Sequence, residues 1–414
     1  MPHIILFVYR FVTFLLVWPL CLAVRNHRNF KNTLRLRLSL DLPHVPEGDL
    51  IWFHGASLGE IRALAGLVEA VKSRRPRTVV CLSAMTLAGR EAAASIESVD
   101  LVLPLPFDVG WIMRRYMKHL SPKALVISET EIWPNLHVAA QKADIPVALV
   151  NARLSAGSFE RYRFVKSFIA YLLKKVRIMA TAKEHADRFK VLGVNDVRII
   201  GNMKFDSMPE LHPERVHSLR AKLGADSRPV FVAGSIREGE EPEVMKTVAA
   251  ARREIPGLFC IVVPRHQGRV KRLTELAQRL DISWMLRSAA PRQDADLLIV
   301  DTVGELFDLY GLAQAAFVGG SLVDLGGQNI LEPIAWGVPT MHGPHMDNFL
   351  WALEAVRGNT LVVTNADELS RTLMAIIRQP ETYAGKARLA RMALEGSRGA
   401  TTRYAGELLQ MMSG

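Results

Sequence analysis

The sequence predicts an α/β protein with two doubly wound parallel sheets and an N-terminal membrane helix, on three observations. Short apolar runs alternate with helical patterns along the chain, as expected when helices layer onto parallel strands. The runs fall into two series, separated by a stretch from Asp206 to Pro229 that carries Pro209, Pro213 and Pro229 among many charges. At 414 residues the chain is long enough for two domains, each with its own core.

The first element runs from Ile4 to Val24, IILFVYRFVTFLLVWPLCLAV, apolar apart from Arg10 and Thr13 and about as long as a bilayer-crossing helix. Arg10 and Pro19 count against a simple span. A cleaved signal would carry its basic residues ahead of the apolar region, and none stands there. Arg25, Arg28, Lys31, Arg35 and Arg37 all precede the first acid, Asp41, so a retained anchor with the rest of the chain on the cytoplasmic side is expected.

The first strand series is Leu50 to His54, Thr78 to Ser83, Leu101 to Leu105, Ala124 to Ser128, Val147 to Asn151, Ile178 to Ala180 and Val197 to Ile200. The second is Val230 to Ala233, Leu258 to Val263, Leu297 to Asp301, Ala315 to Val318 and Val338 to Met341. Two Rossmann-like sheets follow, and open parallel sheets bind ligands at the loops after their strands.

Those loops carry the candidate chemistry. In His54-Gly-Ala-Ser-Leu-Gly-Glu60, Glu60 stands where a helix begins, either as a helix-dipole partner or as a general base. Glu129 and Glu131 follow the strand Ala124 to Ser128; one would be structural and the other would bind or orient an acceptor. The segment Ser158 to Arg177 interleaves Phe159, Tyr162, Phe164, Phe168 and Tyr171 with basic residues, and reads equally as a helix with an aromatic core face or as a membrane-touching surface.

In the second half, Ser235 and nearby amides would hold a phosphate, with Arg237 and Arg265 adding charge-assisted contacts. Phe317 to Pro339 reads as a strand, a glycine loop and a helix carrying Asn329 and Glu332. Gly319, Gly320 and Ser321 would bring amides close to a phosphate. Asn329 and Glu332, three residues apart, would grip the hydroxyls of a ribose.

A formal charge of +11 and a pI near 9.7 call for an anionic partner: nucleic acid, an acidic membrane surface or a phosphorylated substrate. No nucleic-acid motif accompanies the charge. The three cysteines, Cys21, Cys81 and Cys260, lie far apart with no C-x-x-C spacing, so neither a disulfide framework nor a structural zinc site is expected. There is no G-x-x-x-x-G-K-[ST], G-x-G-x-x-G or H-E-x-x-H motif, and no nucleophile elbow. Asp294-Ala-Asp296 precedes a strand instead of ending one and is not read as a metal site.

With these residues in place the chain resembles the Kdo transferases, enzymes that add 3-deoxy-D-manno-octulosonic acid (Kdo) to the lipid A precursor of lipopolysaccharide. The resemblance covers the anchor, HGASLGE, SETEIWPN, NARLS, GNMKFD, AGSIREGEE, VPRH, DTVGEL, FVGGSL, GGQNILEP and WGVP, in that order. Two positions depart from the family pattern: Gln328 stands where His is frequent, and Ile236-Arg237 where Thr-His is frequent.

The resemblance implies a GT-B architecture, two Rossmann-like domains facing an interdomain cleft. It also implies metal-independent, inverting transfer of Kdo from CMP-Kdo to the glucosamine 6'-hydroxyl of lipid IVA. CMP-Kdo would be a co-substrate, with no cofactor, no metal and no nucleic-acid partner. On this pattern Glu60 is the catalytic base, and Ser235, Arg265, Gly320, Asn329 and Glu332 serve the donor; Arg237, Pro264 and Ser321 are expected beside them on the donor side, and Ser57, Glu129 and Arg153 on the acceptor side. The expected divisions are an anchor at 1–24, an acceptor domain at 25–208, a linker at 209–228, a donor domain at 229–398 and a final helix at 399–414 packing on the first domain. The location implied is the cytoplasmic face of the inner membrane. A UDP-sugar 2-epimerase-like enzyme and a non-catalytic lipid-binding protein are the alternatives.

Overall fold

A computed structural model describes residues 1–289 and 295–412. Contacts divide it into two compact units, one of Met1–Ser207 with Arg398–Gly414 and one of Met208–Ser397.

In the first unit seven strands form one sheet: β1 (Leu50–Gly55), β2 (Val79–Ala84), β3 (Leu101–Pro104), β4 (Ala124–Ser128), β5 (Val147–Ala152), β6 (Val176–Ala180) and β7 (Val197–Ile199). Their order is β3-β2-β1-β4-β5-β6-β7 and every pairing is parallel. The central strands are apolar on both faces because helices cover both. Trp52, Cys81, Ile127 and Leu149 pack on one face against the helices Gly110–Leu120 and Pro134–Lys142. Ile51, Phe53, Val126 and Val150 pack on the other against the helix Leu58–Arg74 and the last helix, Ala400–Met411, through Tyr404 and Leu408.

The N-terminal helix, Pro2–Val24, is long and apolar enough to cross a membrane. It is docked along its length on the first unit. Leu6 packs with Val138, Phe168 and Leu172, and Val17 and Cys21 join the main core. The Tyr9 hydroxyl donates to Asp108 at 2.9 Å, and Arg10 Nε donates to Asn135 Oδ1 at 2.9 Å. Arg10, which counts against a span in the sequence, therefore turns inward to a polar partner. The other side of the helix leaves Phe7, Phe11, Phe14 and Trp18 more than half exposed.

The segment Ser158 to Arg177, expected as one helix, breaks at Val165 into Ala156–Phe164 and Lys166–Leu172. The aromatic residues split accordingly: Phe168 is buried, while Phe164 is 88% exposed.

The second unit repeats the layering with β8 (Val230–Ile236), β9 (Phe259–Pro264), β10 (Trp284–Leu286), β11 (Leu297–Ile299), β12 (Ala315–Val318), β13 (Thr340–His342) and β14 (Leu361–Val362). Their order is β10-β11-β9-β8-β12-β13-β14, all parallel. Phe231, Cys260, Ile299 and Phe317 pack against the helices Glu241–Glu254, Val270–Arg279 and Ala366–Arg378. Within the stretch between the two strand series, Pro213–Lys222 is a helix with Val216 buried.

Candidate active site

In the first unit the carboxyl ends of β1 and β4 bring Glu60, Glu129 and Glu131 together, and Lys204 joins them from the turn after β7. Ser57 caps the helix Leu58–Arg74, its hydroxyl accepting the Glu60 amide at 3.3 Å. The same hydroxyl donates to Glu60 Oε1 at 2.8 Å, and the Ala56 amide donates to Oε2 at 2.9 Å. This reciprocal cap fixes the Glu60 carboxylate against its own helix start.

Burial raises the Glu60 pKa above the ordinary glutamate value, and the Glu129 charge adds to the rise; the bonds from Ala56 and Ser57 and the Lys204 charge oppose it. Glu129 has φ of 58°, a left-handed turn that swings its carboxylate to Lys204 Nζ at 3.0 Å. Glu131 Oε2 accepts the Trp133 indole N–H at 2.9 Å. Its pKa is also raised, by burial first and then by Glu60.

Lys204 reaches the cluster from the turn Met203–Phe205. Asn202 Oδ1 accepts the Lys204 amide at 2.9 Å, and Asn151 Oδ1 accepts the Met203 amide at 3.1 Å. Asn151 has φ of 52°, and its amide donates to the Tyr404 hydroxyl at 3.1 Å. The last helix thus braces the loop that carries Lys204. Arg153 is tied beside the acidic loop through its backbone, its carbonyl accepting the Thr130 hydroxyl at 2.5 Å and its amide reaching Thr130 Oγ1 at 3.2 Å.

In the second unit the glycine loop after β12 folds around a carboxylate. Glu240, fully buried, accepts the Arg237 amide at 2.9 Å, the Gly320 amide at 2.6 Å, and the Ser321 and Leu322 amides at 2.9 Å each. The Gly320 and Ser321 amides, expected to approach a phosphate, are held by this side chain. The Ser321 hydroxyl is likewise engaged, donating to Val318 O at 2.6 Å and accepting the Gly343 amide at 2.8 Å. Gly319 is required by packing: a Cβ there would lie 2.6 Å from Ser235 O.

Ser235, with φ of 56°, sits at the irregular end of β8, where register shifts between Ala233 and Ile236. The Arg265 amide, just after Pro264, donates to Ile236 O at 2.9 Å. Asn329 lies before its helix instead of on it, because the helix begins at Leu331. Its Oδ1 accepts the Leu331 amide at 3.2 Å, a local turn bond that asparagine favours over continued helix. Its amide nitrogen donates to Glu332 Oε1 at 3.1 Å. Glu332 is held above the ordinary glutamate value by burial, opposed by Asn329 and the Arg265 charge. Arg237 and Gln328, the two departures from the family pattern, both lie against Gly320, within 3.2 Å of where a Cβ would stand.

Among the described residues no group of three or more His, Cys, Asp or Glu side chains is placed to hold a metal ion. Asp294 lies outside the described residues; Asp296 accepts Arg252 at 2.8 Å.

A family model described as 3-deoxy-D-manno-octulosonic-acid transferase matches residues 29–207. A 3-deoxy-D-manno-octulosonic acid transferase of Haemophilus influenzae is 31% identical over 369 residues, covering 86% of each chain. One from Bordetella pertussis is 32% identical over 369 residues, covering 85% of each. The chain belongs to the Kdo transferase family. Solved structures agree on the fold: a UDP-GlcNAc 2-epimerase from Neisseria meningitidis superposes with a TM-score of 0.61 at 14% identity, covering 88% of this chain and all of that one. A glycosyltransferase from Rickettsia africae gives 0.57 at 12% identity, covering 89% and 99%. This member of the Kdo transferases is a glycosyltransferase with the GT-B fold.

Three side chains of this Kdo transferase escaped the sequence reading. Lys204 lay inside the quoted GNMKFD motif without a role. Glu240 lay inside the quoted AGSIREGEE motif, likewise without a role. Asn151 closes an apolar strand in the sequence, which carries no mark of its left-handed turn.

Proposed function

We propose that the chain transfers Kdo from CMP-Kdo to the glucosamine 6'-hydroxyl of the lipid A precursor lipid IVA, by inverting, metal-independent displacement. The observation that carries this reading is the Glu60 carboxylate, held at a helix start by two hydrogen bonds with its pKa raised. A sugar hydroxyl is a weak nucleophile, and a carboxylate of raised basicity takes its proton as the new bond forms. The hydroxyl oxygen attacks the anomeric carbon on the face opposite the nucleotide, and CMP leaves with the electron pair.

The departing phosphate gains negative charge. Because Glu240 occupies the glycine-loop amides, stabilisation falls to Arg237 and Arg265, which supply charge-assisted bonds without a metal. Glu332, bonded to Asn329, suits the hydroxyls of the ribose. Glu129 and Arg153 are assigned to the acceptor. Lys204 holds Glu129 and so also sets the field around Glu60.

The N-terminal helix serves as an anchor that lies along the membrane instead of crossing it. Contacts from Leu6 to Cys21 span about 22 Å at 1.5 Å per residue, leaving one face for the protein and the other for lipid. Exposed Phe164 adds a second apolar contact beside Arg161 and Arg163. The basic residues Arg25, Arg28 and Lys31 favour the anionic cytoplasmic leaflet of the inner membrane.

Incubation with CMP-Kdo and lipid IVA tests the reading by mass spectrometry of the lipid. A mass increase of one or more Kdo units supports it. An unchanged lipid from a folded protein that binds CMP-Kdo refutes it.

A further inference from the structure

The N-terminal helix and the body of the first unit border an open, half-exposed pocket of about 350 Å³. Val12, Leu16 and Leu20 of the helix form one wall, and Leu105, Phe107 and Trp133 of the body form the other. The size lies at the low end of ligand pockets, about 300–1,000 Å³, and the lining is chiefly apolar. Tyr9 and Asp108, also on the wall, satisfy one another.

Arg37 breaks the apolar character. It is 1% exposed, and among the described residues it forms no ion pair. Its guanidinium donates to the carbonyls of Leu105 at 2.6 Å, Met85 at 2.9 Å and Asn29 at 3.4 Å, and lies 4.7 Å over the Phe30 ring. Arg90 reaches two of the same carbonyls, Met85 at 3.3 Å and Asn29 at 3.2 Å, again with no carboxylate in an ion pair. Burial, and then the Arg90 charge, pull the Arg37 pKa down to about 10. The Glu91 charge acts on Arg90, but Arg37 shares its carbonyls with a second cation and has no ion pair among the described residues, a cost that an arriving anion offsets.

Two further facts select the occupant. The helix that walls the cavity presents an exposed apolar face, so the cavity lies beside the lipid-facing surface. Trp133 links it to the catalytic loop, since its indole donates to Glu131, whose pKa responds to Glu60.

We propose that this cavity seats one acyl chain of the phosphorylated glycolipid acceptor, with an anionic group of that lipid drawn to Arg37 and Arg90. The inference rests on the acceptor reading given above. It assigns the docked helix a share in substrate recognition besides anchoring.

The test uses the full-length protein and lipid IVA carrying a diazirine at the end of one acyl chain, photolysed in detergent micelles without donor. Label is expected on peptides containing Val12 to Leu20 and Leu105 to Val109. Leu16→Trp, at a half-exposed position that tolerates the larger ring, should cut that label and raise the acceptor KM about tenfold while the donor KM holds. Arg90→Ala should raise the acceptor KM in the same direction. Phe14→Trp, on the outward face, should change neither. Label confined to the outward face, an unchanged KM for Leu16→Trp, or equal displacement of the label by excess phosphatidylglycerol would overturn the proposal, the last by showing that any anionic lipid fits. Labelling needs no turnover, so absent sugar transfer with intact cavity labelling sinks the functional reading alone, and the reverse pattern sinks the cavity alone.

Discussion

The Ser57 hydroxyl both accepts the Glu60 amide, at 3.3 Å, and donates to the Glu60 carboxylate, at 2.8 Å. One side chain therefore caps the helix and stabilises the charged form of the Glu60 carboxyl. Removing it acts on both. Ser57→Ala takes away a bond that lowers the Glu60 pKa, so the rising limb of the pH–rate profile should move to higher pH. The lost cap should cost about 1 kcal/mol of stability. A limb that stays in place or moves down would show that the hydroxyl does not tune Glu60.

The raised values of Glu60 and Glu131 carry a stability cost with a definite sign. Between the unfolded and the higher folded pKa, the native state binds the proton more tightly, so stability falls as pH rises across that window. Glu60→Gln and Glu131→Gln should therefore raise Tm at about pH 8 and leave it nearly unchanged at about pH 3, where the carboxyls are protonated in both states. Thermal melts at the two pH values check this; a lower Tm at the higher pH counts against it.

Glu240 anchors the glycine loop of the second unit. Glu240→Ala leaves three loop amides and the Arg237 amide without their acceptor, in a buried setting. The expected loss is about 3 kcal/mol. For a domain of this size that lowers Tm by about 6–12 °C, measurable by calorimetry. A loss within about 0.5 kcal/mol would mean the loop holds its shape by other means.

The strands that frame both sites were legible because each is a short apolar run bounded by polar loops, as with Ala124–Ser128 and Ala315–Val318, whose bounds agree with expectation. The edge strands Trp284–Leu286 and Leu361–Val362 were not, since three and two residues carry no usable periodicity. Glu60 stood out because a carboxylate after a strand and at a helix start has a local signature. Lys204 and Glu240 did not. Each gains its role from partners distant in sequence, Lys204 from Glu129 and Glu240 from Gly320, and no local pattern records such a pairing. The glycines of FVGGSL were legible as special, but the reason differs: Gly319 avoids a clash with β8.

Arg265 carries the most direct test of the second unit. Its charge lowers the Glu332 pKa, and we assign it to the donor phosphate. Arg265→Ala should raise the donor KM by about 10- to 100-fold, the value of a charge-assisted bond, with the acceptor KM unchanged. Arg265→Lys should fall between, keeping the charge without the planar fork. A donor KM equal to wild type would remove Arg265 from donor binding.

Tyr404 ties the last helix to the loop that carries Lys204. Its hydroxyl accepts the Asn151 amide and donates toward Gly201 O at 2.8 Å and Met179 O at 3.1 Å, fully buried. Tyr404→Phe strands these groups and should destabilise the first unit by about 1–3 kcal/mol, read from denaturant midpoints. A midpoint matching wild type would show that the bracing is dispensable.

The central claim is that Glu60 takes the proton of the acceptor hydroxyl. Its most direct test is the rate of Kdo transfer to lipid IVA against pH, at saturating substrates, for the wild type and Glu60→Gln. The wild-type rate should climb through a limb above the ordinary glutamate range, and the variant should be slowed by about 10²- to 10⁴-fold with that limb gone and CMP-Kdo binding intact. A Glu60→Gln enzyme that keeps the wild-type rate and profile would contradict the claim.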